Sequence, residues 1–430
     1  MSDGRAKKAA GRAEQGARPR PSRRFDPPVE DGDPRRSHFH HVLVALHALH
    51  NWPTWGVALA GVGLAGGIGG VWWLLSRDVA LSAGVGVLLL ACCAADAYLL
   101  RQLPRRGLSF ASWKAQIAAL ALPRGAAALA TAAAGVWLGW TVALALAALA
   151  QLVGAVALYR GALVEPARLG LSELTVATDR WPSDAPPIRI FHVSDIHLER
   201  LGRREAQLLK LAQTARPDLI LMTGDYVSTS NNRDPETHRQ VRDLLGQLQA
   251  RYGVYAVLGS PMVDLHAVIP ALFDGLAIRL LRDETAALTL DDGRCLTLVG
   301  LDCHHDIPRD AATLARVLDG APDAGPRILL YHSPELMPQA VAHGLDLYLC
   351  GHTHGGQVRL PLIGALLTSS RLGRRYVMGH YREGRTSLYI SRGVGFEGLS
   401  APRVRFLCPP EIALITLTTT TPPASPARGG

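Results

Sequence analysis

Hydrophobic and polar positions follow two different rhythms along this chain. Residues 55–75 read WGVALAGVGLAGGIGGVWWLL and residues 79–100 read VALSAGVGVLLLACCAADAYLL. Each is about the twenty apolar residues that a bilayer-spanning helix needs. A third run, residues 125–159, has Gln151 as its only strongly polar side chain and is too long for one span. Near its middle GVWLGW, residues 135–140, suits a tight turn at an interface where indole rings settle. The pattern therefore predicts a transmembrane helical region over 41–160 with four spans, the third beginning near Ile117 and the fourth ending near Tyr159; three spans is the alternative. Arg124 is an expensive inclusion in such a helix. Asp96, close to the basic end of the second span, reads as reaching the interface.

Past a polar connector at 161–186 the rhythm changes. Apolar runs of four to six residues alternate with longer amphipathic segments: IRIFHV, a helix near 203–215, DLILM, a helix near 235–250, VYAVL, CLTLVGL, a helix near 311–318, RILLY, DLYLC, SLYIS and EIALITL. Strands interleaved with helices indicate a layered α/β domain around a mostly buried sheet, here over 187–418. Residues 1–40, rich in Arg, Ala, Gly and Pro without apolar periodicity, read as a disordered basic tail, and 419–430 as a second disordered tail.

Charge sets the expected orientation. The chain of 430 residues carries a net +9, and residues 1–40 alone hold ten Lys or Arg against six Asp or Glu. Without a recognition motif this excess reads as a cytoplasmic flank of a multi-pass inner-membrane protein, and nucleic acid is not an expected partner. Arg101, Arg105, Arg106 and Lys114 belong on the same side, so with four spans everything after Tyr159 is cytoplasmic, and with three it is outside. The six cysteines show no CxxC pair, which argues against a disulfide framework or a zinc knuckle.

Chemistry collects where the strands stop. IRIFHV is followed by Ser194-Asp195-Ile196-His197, DLILM by Thr223-Gly224-Asp225, VYAVL by Gly259-Ser260, RILLY by His332, and DLYLC by GHTHGG at 351–356. This edge is where open α/β sheets bind ligands. Carboxylates mixed with imidazoles suit Zn, Mn or Fe rather than a soft thiolate-loving metal. Residues i and i+2 of an extended strand exit point the same way, so Asp195 and His197 can grip one ion, and His352 and His354 neighbouring ions. A lone DxH or GD is ordinarily a turn; two histidines among glycines after a buried strand have few structural excuses.

The ordered set DxH, GD, a Gly-Ser-Pro loop, H and GHTHGGQ resembles the calcineurin-like metallophosphoesterases, and within them the bacterial membrane-associated branch, which shares GHTHGGQ at 351–357 and the SRG at 391–393. The resemblance spans roughly 187–417. It implies a double β-sandwich flanked by helices with two divalent metal ions (Mn, Zn or Fe) at the strand ends. It assigns Asp195, His197 and His354 to the first metal, Asp225 as the bridge, and His332 and His352 to the second, with Asp225 and His354 as catalytic residues.

The chain departs from the family where a GNH triplet belongs. Ser260 and Pro261 occupy the Asn and His positions, so the second metal loses a ligand and the phosphate pocket loses its acid; Asp264 and His266 are substitutes close in sequence, against the commoner reading of a solvated loop Asp and His. Two functions follow from the resemblance. One is a membrane-anchored phosphatase-type hydrolase using metal-bound hydroxide on a phosphoester or pyrophosphate, with activity reduced by the Ser-Pro replacement and a second site of lowered occupancy. The other is a catalytically impaired metal-binding sensor or scaffold. A phosphorylated small molecule or lipid is the expected substrate, and Arg371, Arg374 and Arg375 are candidates to meet an anionic headgroup.

Overall fold

The computed structural model describes residue 45 and residues 48–398 and 401–419. The expected tail at 1–40 and residues 420–430 lie outside these. Four helices account for the apolar stretches: α1 (Thr54–Ser76), α2 (Val79–Gln102), α3 (Trp113–Leu138) and α4 (Trp140–Tyr159). All four are long and apolar enough to cross a membrane. The break in the third run falls at Gly139, whose φ of 84° and ψ of 151° end α3 and start α4. Four residues earlier, a Cβ on Gly135 would meet the Trp140 ring at 2.6 Å, so only glycine lets the two helices close this tightly.

Small residues line the bundle interior: Ala65 of α1, Ala128 and Ala132 of α3, Ala143 and Ala147 of α4. They let the backbones approach, the way helices associate where apolar packing against lipid gives no net drive. Asp96 does not reach an interface. It is buried, and Arg124 crosses from α3 to bind it through Nε at 2.6 Å and Nη2 at 2.8 Å. Arg124 Nη1 donates to both the backbone and side-chain oxygens of Gln151 at 3.0 Å, and Gln151 Nε2 donates back to Arg124 O at 3.0 Å. The costly charges noted in the sequence neutralise each other, which is cheaper than stretching Asp96 to water.

The portion that follows the helices is two six-stranded sheets. The first contains β1 (Gly170–Thr178), β14 (Glu411–Thr419), β2 (Ile188–Val193), β3 (Leu219–Met222), β4 (Val254–Ala256) and β5 (Ile278–Leu280), in that order. The second runs β12 (Gly379–Glu383), β13 (Thr386–Ile390), β9 (Leu347–Cys350), β8 (Arg327–Leu330), β7 (Cys295–Gly300), β6 (Glu284–Thr289). A short antiparallel pair, β10 (Arg359–Leu360) with β11 (Gly364–Ala365), stands apart as a hairpin. The expected connector at 161–186 is not all connector. Residues 170–178 pair in register with the last strand, Gly170 opposite Glu411 through Thr178 opposite Thr419. That partner lies some 240 positions away, so nothing local announces the strand.

Strand alternation sends side chains into different layers. Ile188 and Ile190 of β2 join Leu219, Leu221, Leu296, Leu298, Ile328 and Leu347 between the two sheets, while Phe191 and Val193 face the helices α5 (Arg203–Ala215) and α6 (Pro235–Leu245). The outer face of the second sheet packs on α7 (Ile307–Asp319) through Leu314 and Val317. The result is the expected double β-sandwich flanked by helices. α6 ends five residues short of expectation, at Leu245, and Arg242 reaches across to bond the carbonyls of Leu272 and Asp274, at 2.9 Å each.

The sandwich rests on one end of the helical bundle. Val404 packs among Leu100, Ile117 and Leu158, Arg405 N donates to Gly161 O at 2.9 Å, Cys408 N to Glu165 Oε2 at 3.0 Å, and Arg403 N to Gln116 Oε1 at 3.1 Å. From the α2–α3 loop, Phe110 N donates to Glu199 Oε2 at 2.6 Å. Glu199 also pairs with the buried Arg403 guanidinium.

Candidate metal centre

β2, β3 and β4 of one sheet and β7, β8 and β9 of the other are each mutually parallel, and their carboxyl ends meet at one edge of the sandwich. The six sequence-predicted ligands all arrive there. Asp195 N donates to Gly224 O and His197 N to Asp225 O, both at 2.9 Å, so the DxH and GD loops are laced to each other. Asp195 carries φ of 50°, His197 43°, Asp225 58°, His352 67° and His354 50°, all left-handed. Such backbone costs energy for residues with a Cβ and persists where the surroundings over-determine it.

Close approach explains the glycines. A Cβ on Gly351 would fall on the Asp195 carboxylate and the Ser194 hydroxyl, and one on Gly259 would fall on Asp225. His352 N instead reaches Asp195 Oδ1 at 3.0 Å, and Ser260 N reaches Asp225 Oδ1 at 2.7 Å.

Two donor groups interlock. Asp195, His197 and His354 present ligand atoms within 4.8 Å of one another, and so do Asp195, Asp225 and His332. His197 Nε2 faces His354 Nε2 at 3.0 Å, and His332 Nε2 faces Asp225 Oδ2 at 3.2 Å. Two far ring nitrogens are occupied, His332 Nδ1 by Thr223 O at 2.7 Å and His352 Nε2 by Ser369 O at 3.1 Å, and His197 Nδ1 lies 3.3 Å from Glu397 Oε2. Binding the outer nitrogen to a carbonyl or carboxylate is how proteins orient imidazole ligands. Arg405, itself buried, donates to His354 O at 3.1 Å and lies 3.1 Å from His354 Nδ1. His352 stands a little apart, its Nδ1 3.4 Å from Ser260 Oγ.

The donor set fits divalent cations. Asp195 and His332 are fully buried, and His332 Nε2 has no hydrogen-bond partner among the described residues. Two carboxylates and three inward imidazoles without a balancing cation would carry a heavy desolvation cost. Protons partly fill that role: burial pulls the His332 imidazole down, yet the facing Asp225 carboxylate outweighs it and raises His332 to about 9. Burial, with His197 and Arg405 adding to it, keeps His354 well below its ordinary range and so free to offer a lone pair.

Of the substitutes considered at the Ser-Pro loop, Asp264 is no solvated side chain. It is fully buried, and its carboxylate accepts Asp225 N at 2.7 Å, Gly259 N at 2.8 Å and Tyr226 N at 3.0 Å. His266 stacks edge-on against His304, 5.3 Å between centroids. Sequence reasoning overlooked three groups: Glu397 and Arg405, which carry no motif, and His305. A signal for His305 existed, since CLTLVGL is also a strand and a histidine pair follows it.

Fold and donor set together define a metal-dependent hydrolase of the two-sheet kind. A family model described as calcineurin-like phosphoesterase matches residues 188–260. Over 266 residues the chain is 32% identical to the uncharacterized metallophosphoesterase YkuE of Bacillus subtilis (strain 168), covering 60% of this chain and 88% of that protein. It is 27% identical over 246 residues to the phosphodiesterase YaeI of Escherichia coli (strain K12), covering 55% of this chain and 84% of that one. The chain belongs to the calcineurin-like metallophosphoesterase family, whose members are metal-dependent phosphoric ester hydrolases.

Proposed function

We propose that this protein is a multi-pass inner-membrane phosphoesterase that hydrolyses a phosphoester or pyrophosphate at the sandwich edge, with its catalytic portion in the cytoplasm. In this reading Asp195, His197 and His354 hold one cation, His332 and His352 a second, and Asp225 bridges. The observation that carries it is the pair of interlocking donor groups that share the buried Asp195. When bound, the two cations activate the attacking water and offset charge on the phosphoryl oxygens.

The chain's own residues supply the rest. Asp225, anchored through Oδ1 by Ser260 N–H, keeps Oδ2 directed at His332. Pro261 brings no proton donor, and positioned proton transfer typically contributes about 10²–10⁴ in rate. Substrates with good leaving groups, such as nucleotide, aryl or pyrophosphate esters, are therefore favoured.

Arg101, Arg105, Arg106 and Lys114 flank the bundle end that touches the sandwich, which supports a cytoplasmic placement under the positive-inside rule. A lipid-linked phosphate is the favoured substrate class. The metal-site loop is tied through Arg405 to Gly161 at the end of the last span, and the hairpin that follows it exposes Leu362, Ile363 and Leu367. Of the three arginines beyond that loop, Arg375 is engaged by Glu383 at 2.8 Å, which leaves Arg371 and Arg374 as the candidates for a headgroup.

The test uses full-length protein in detergent with Mn²⁺, an activated aryl phosphodiester and a phospholipid extract in parallel, beside the Asp225→Asn variant. Hydrolysis that the variant loses is expected, with headgroup phosphate released from the lipid arm. Equal inertness of both proteins with metal still bound would favour the second reading, a metal-binding sensor or scaffold, for which the Ser-Pro replacement is the specific support.

A further inference from the structure

The loop that lacks its asparagine and histidine is not short of an imidazole. His305, on the loop between β7 and α7, places Nε2 3.0 Å from Ser260 Oγ, the same hydroxyl that lies 3.4 Å from His352 Nδ1. Its ring centroid is 4.6 Å from that of His352 and 6.4 Å from that of His332, and the latter two are 5.1 Å apart. With metal–nitrogen bonds of about 2.0–2.1 Å, imidazoles on one ion set their centroids roughly 4.5–5.5 Å apart. Two of the three separations fall in that range and the third exceeds it by under one ångström.

Two further observations mark His305 as built for the site. Its other nitrogen, Nδ1, lies 3.7 Å from Glu335 Oε2, an oxygen without a hydrogen-bond partner among the described residues. The remaining Glu335 oxygen is fixed by Arg371 N at 2.8 Å. A carboxylate behind the outer nitrogen is the arrangement already seen for His197 with Glu397. His305 also adopts φ of 55°, the same left-handed backbone as five of the predicted ligands. Its neighbour His304 is engaged elsewhere, with Nδ1 3.0 Å from Asp310.

We infer that His305 is a ligand of the second cation, with His332, His352 and Asp225, and that the Ser260–His305 pair takes the place of the missing asparagine. The inference rests on the metal-centre reading under Proposed function and deepens it: the second site is rebuilt as an imidazole-rich one instead of lost. An extra imidazole in place of an amide oxygen tilts that site toward Zn²⁺ or Co²⁺ and away from Mn²⁺.

The test is metal binding by chelator-stripped full-length protein in detergent, read by elemental analysis and by titration calorimetry with Zn²⁺, Co²⁺ and Mn²⁺ separately. Wild type should hold two ions. His305→Ala should weaken the second by at least about tenfold, the loss seen when even outer-shell partners are removed, and leave the first unchanged. His304→Ala should leave both unchanged, and adding Ser260→Asn to His305→Ala should recover the second site. His305→Gln, which keeps a polar group of similar reach should the alanine variant fail to fold, should lower the second site's affinity for Zn²⁺ relative to Mn²⁺. Two ions in wild type with the same affinities and the same Zn²⁺ to Mn²⁺ ratio in the His305 variants overturn this inference alone, as does a single ion that those variants leave unchanged. A wild type that binds no metal overturns the metal-centre reading itself.

Discussion

Replacing Asp264 by alanine separates a strut from a ligand. Its carboxylate accepts three buried backbone N–H groups, from Asp225, Tyr226 and Gly259, and thereby pins the Asp225 loop to the loop that carries Ser260. Alanine leaves all three donors unsatisfied. Each unmet buried donor costs about 1–3 kcal/mol, so the sum is roughly 3–9 kcal/mol, a large share of an ordinary domain's stability. At about 2–4 °C per kcal/mol for a domain of this size, the melting transition of the sandwich should fall by at least about 6 °C. The assay is thermal unfolding of the full-length protein in detergent, with and without Mn²⁺, alongside metal stoichiometry. A strut gives the drop in both conditions, because the backbone groups need their acceptor whether or not a cation is bound. A variant that unfolds normally when metal-free and loses only the stabilisation conferred by Mn²⁺ would refute this, and would place Asp264 among the ligands.

Three further outcomes follow from the geometry. Gly351→Ala puts a Cβ on the Asp195 carboxylate and should cut metal stoichiometry and phosphodiester hydrolysis together; full metal loading would contradict it. The metal-free protein should lose stability as pH rises from about 6.5 to about 9. His332, raised to about 9, contributes stability that is full below its unfolded value and fades above it, and burial pushes Asp264 up to about 7, which acts in the same direction. The His332 share is on the order of 3 kcal/mol. Mn²⁺ should reverse the trend because it replaces those protons, and a metal-free melting temperature that climbs with pH would be decisive against it. Arg124→Leu strands the Asp96 carboxylate inside the bundle and should destabilise it by about 3–5 kcal/mol, with the Asp96→Leu, Arg124→Leu pair recovering most of the loss; a harmless single variant would show the pair to be idle.

Much of this cluster was legible because its carboxylate and imidazole side chains sit directly after short apolar strands, in a fixed order, with glycines where backbones must touch. Asp195, Asp225 and His354 could be named from position alone. What escaped was whatever depends on distant pairing. Gly170–Thr178 alternates too weakly to read as a strand until β14 lies beside it. Asp96 reads as an interfacial acid until α3 brings Arg124 across to it. Glu397 and Arg405 orient imidazoles from segments with no periodic signal, and His305 matters only because the fold carries the β7 loop over Ser260.

The segment from Arg403 to Cys408 has a practical consequence. It is at once the floor beneath the GHTH loop and the surface against which the last helix ends, with Val404 in apolar contact and Arg405 N–H spent on Gly161. Severing the chain past Gly161 to obtain a water-soluble catalytic fragment would strip the cover from that floor and leave the peptide hydrogen of Arg405 without its acceptor, in the residue whose guanidinium also holds His354. Assays on such a fragment would describe a damaged enzyme, so the intact polypeptide in detergent or lipid is the proper object for kinetics.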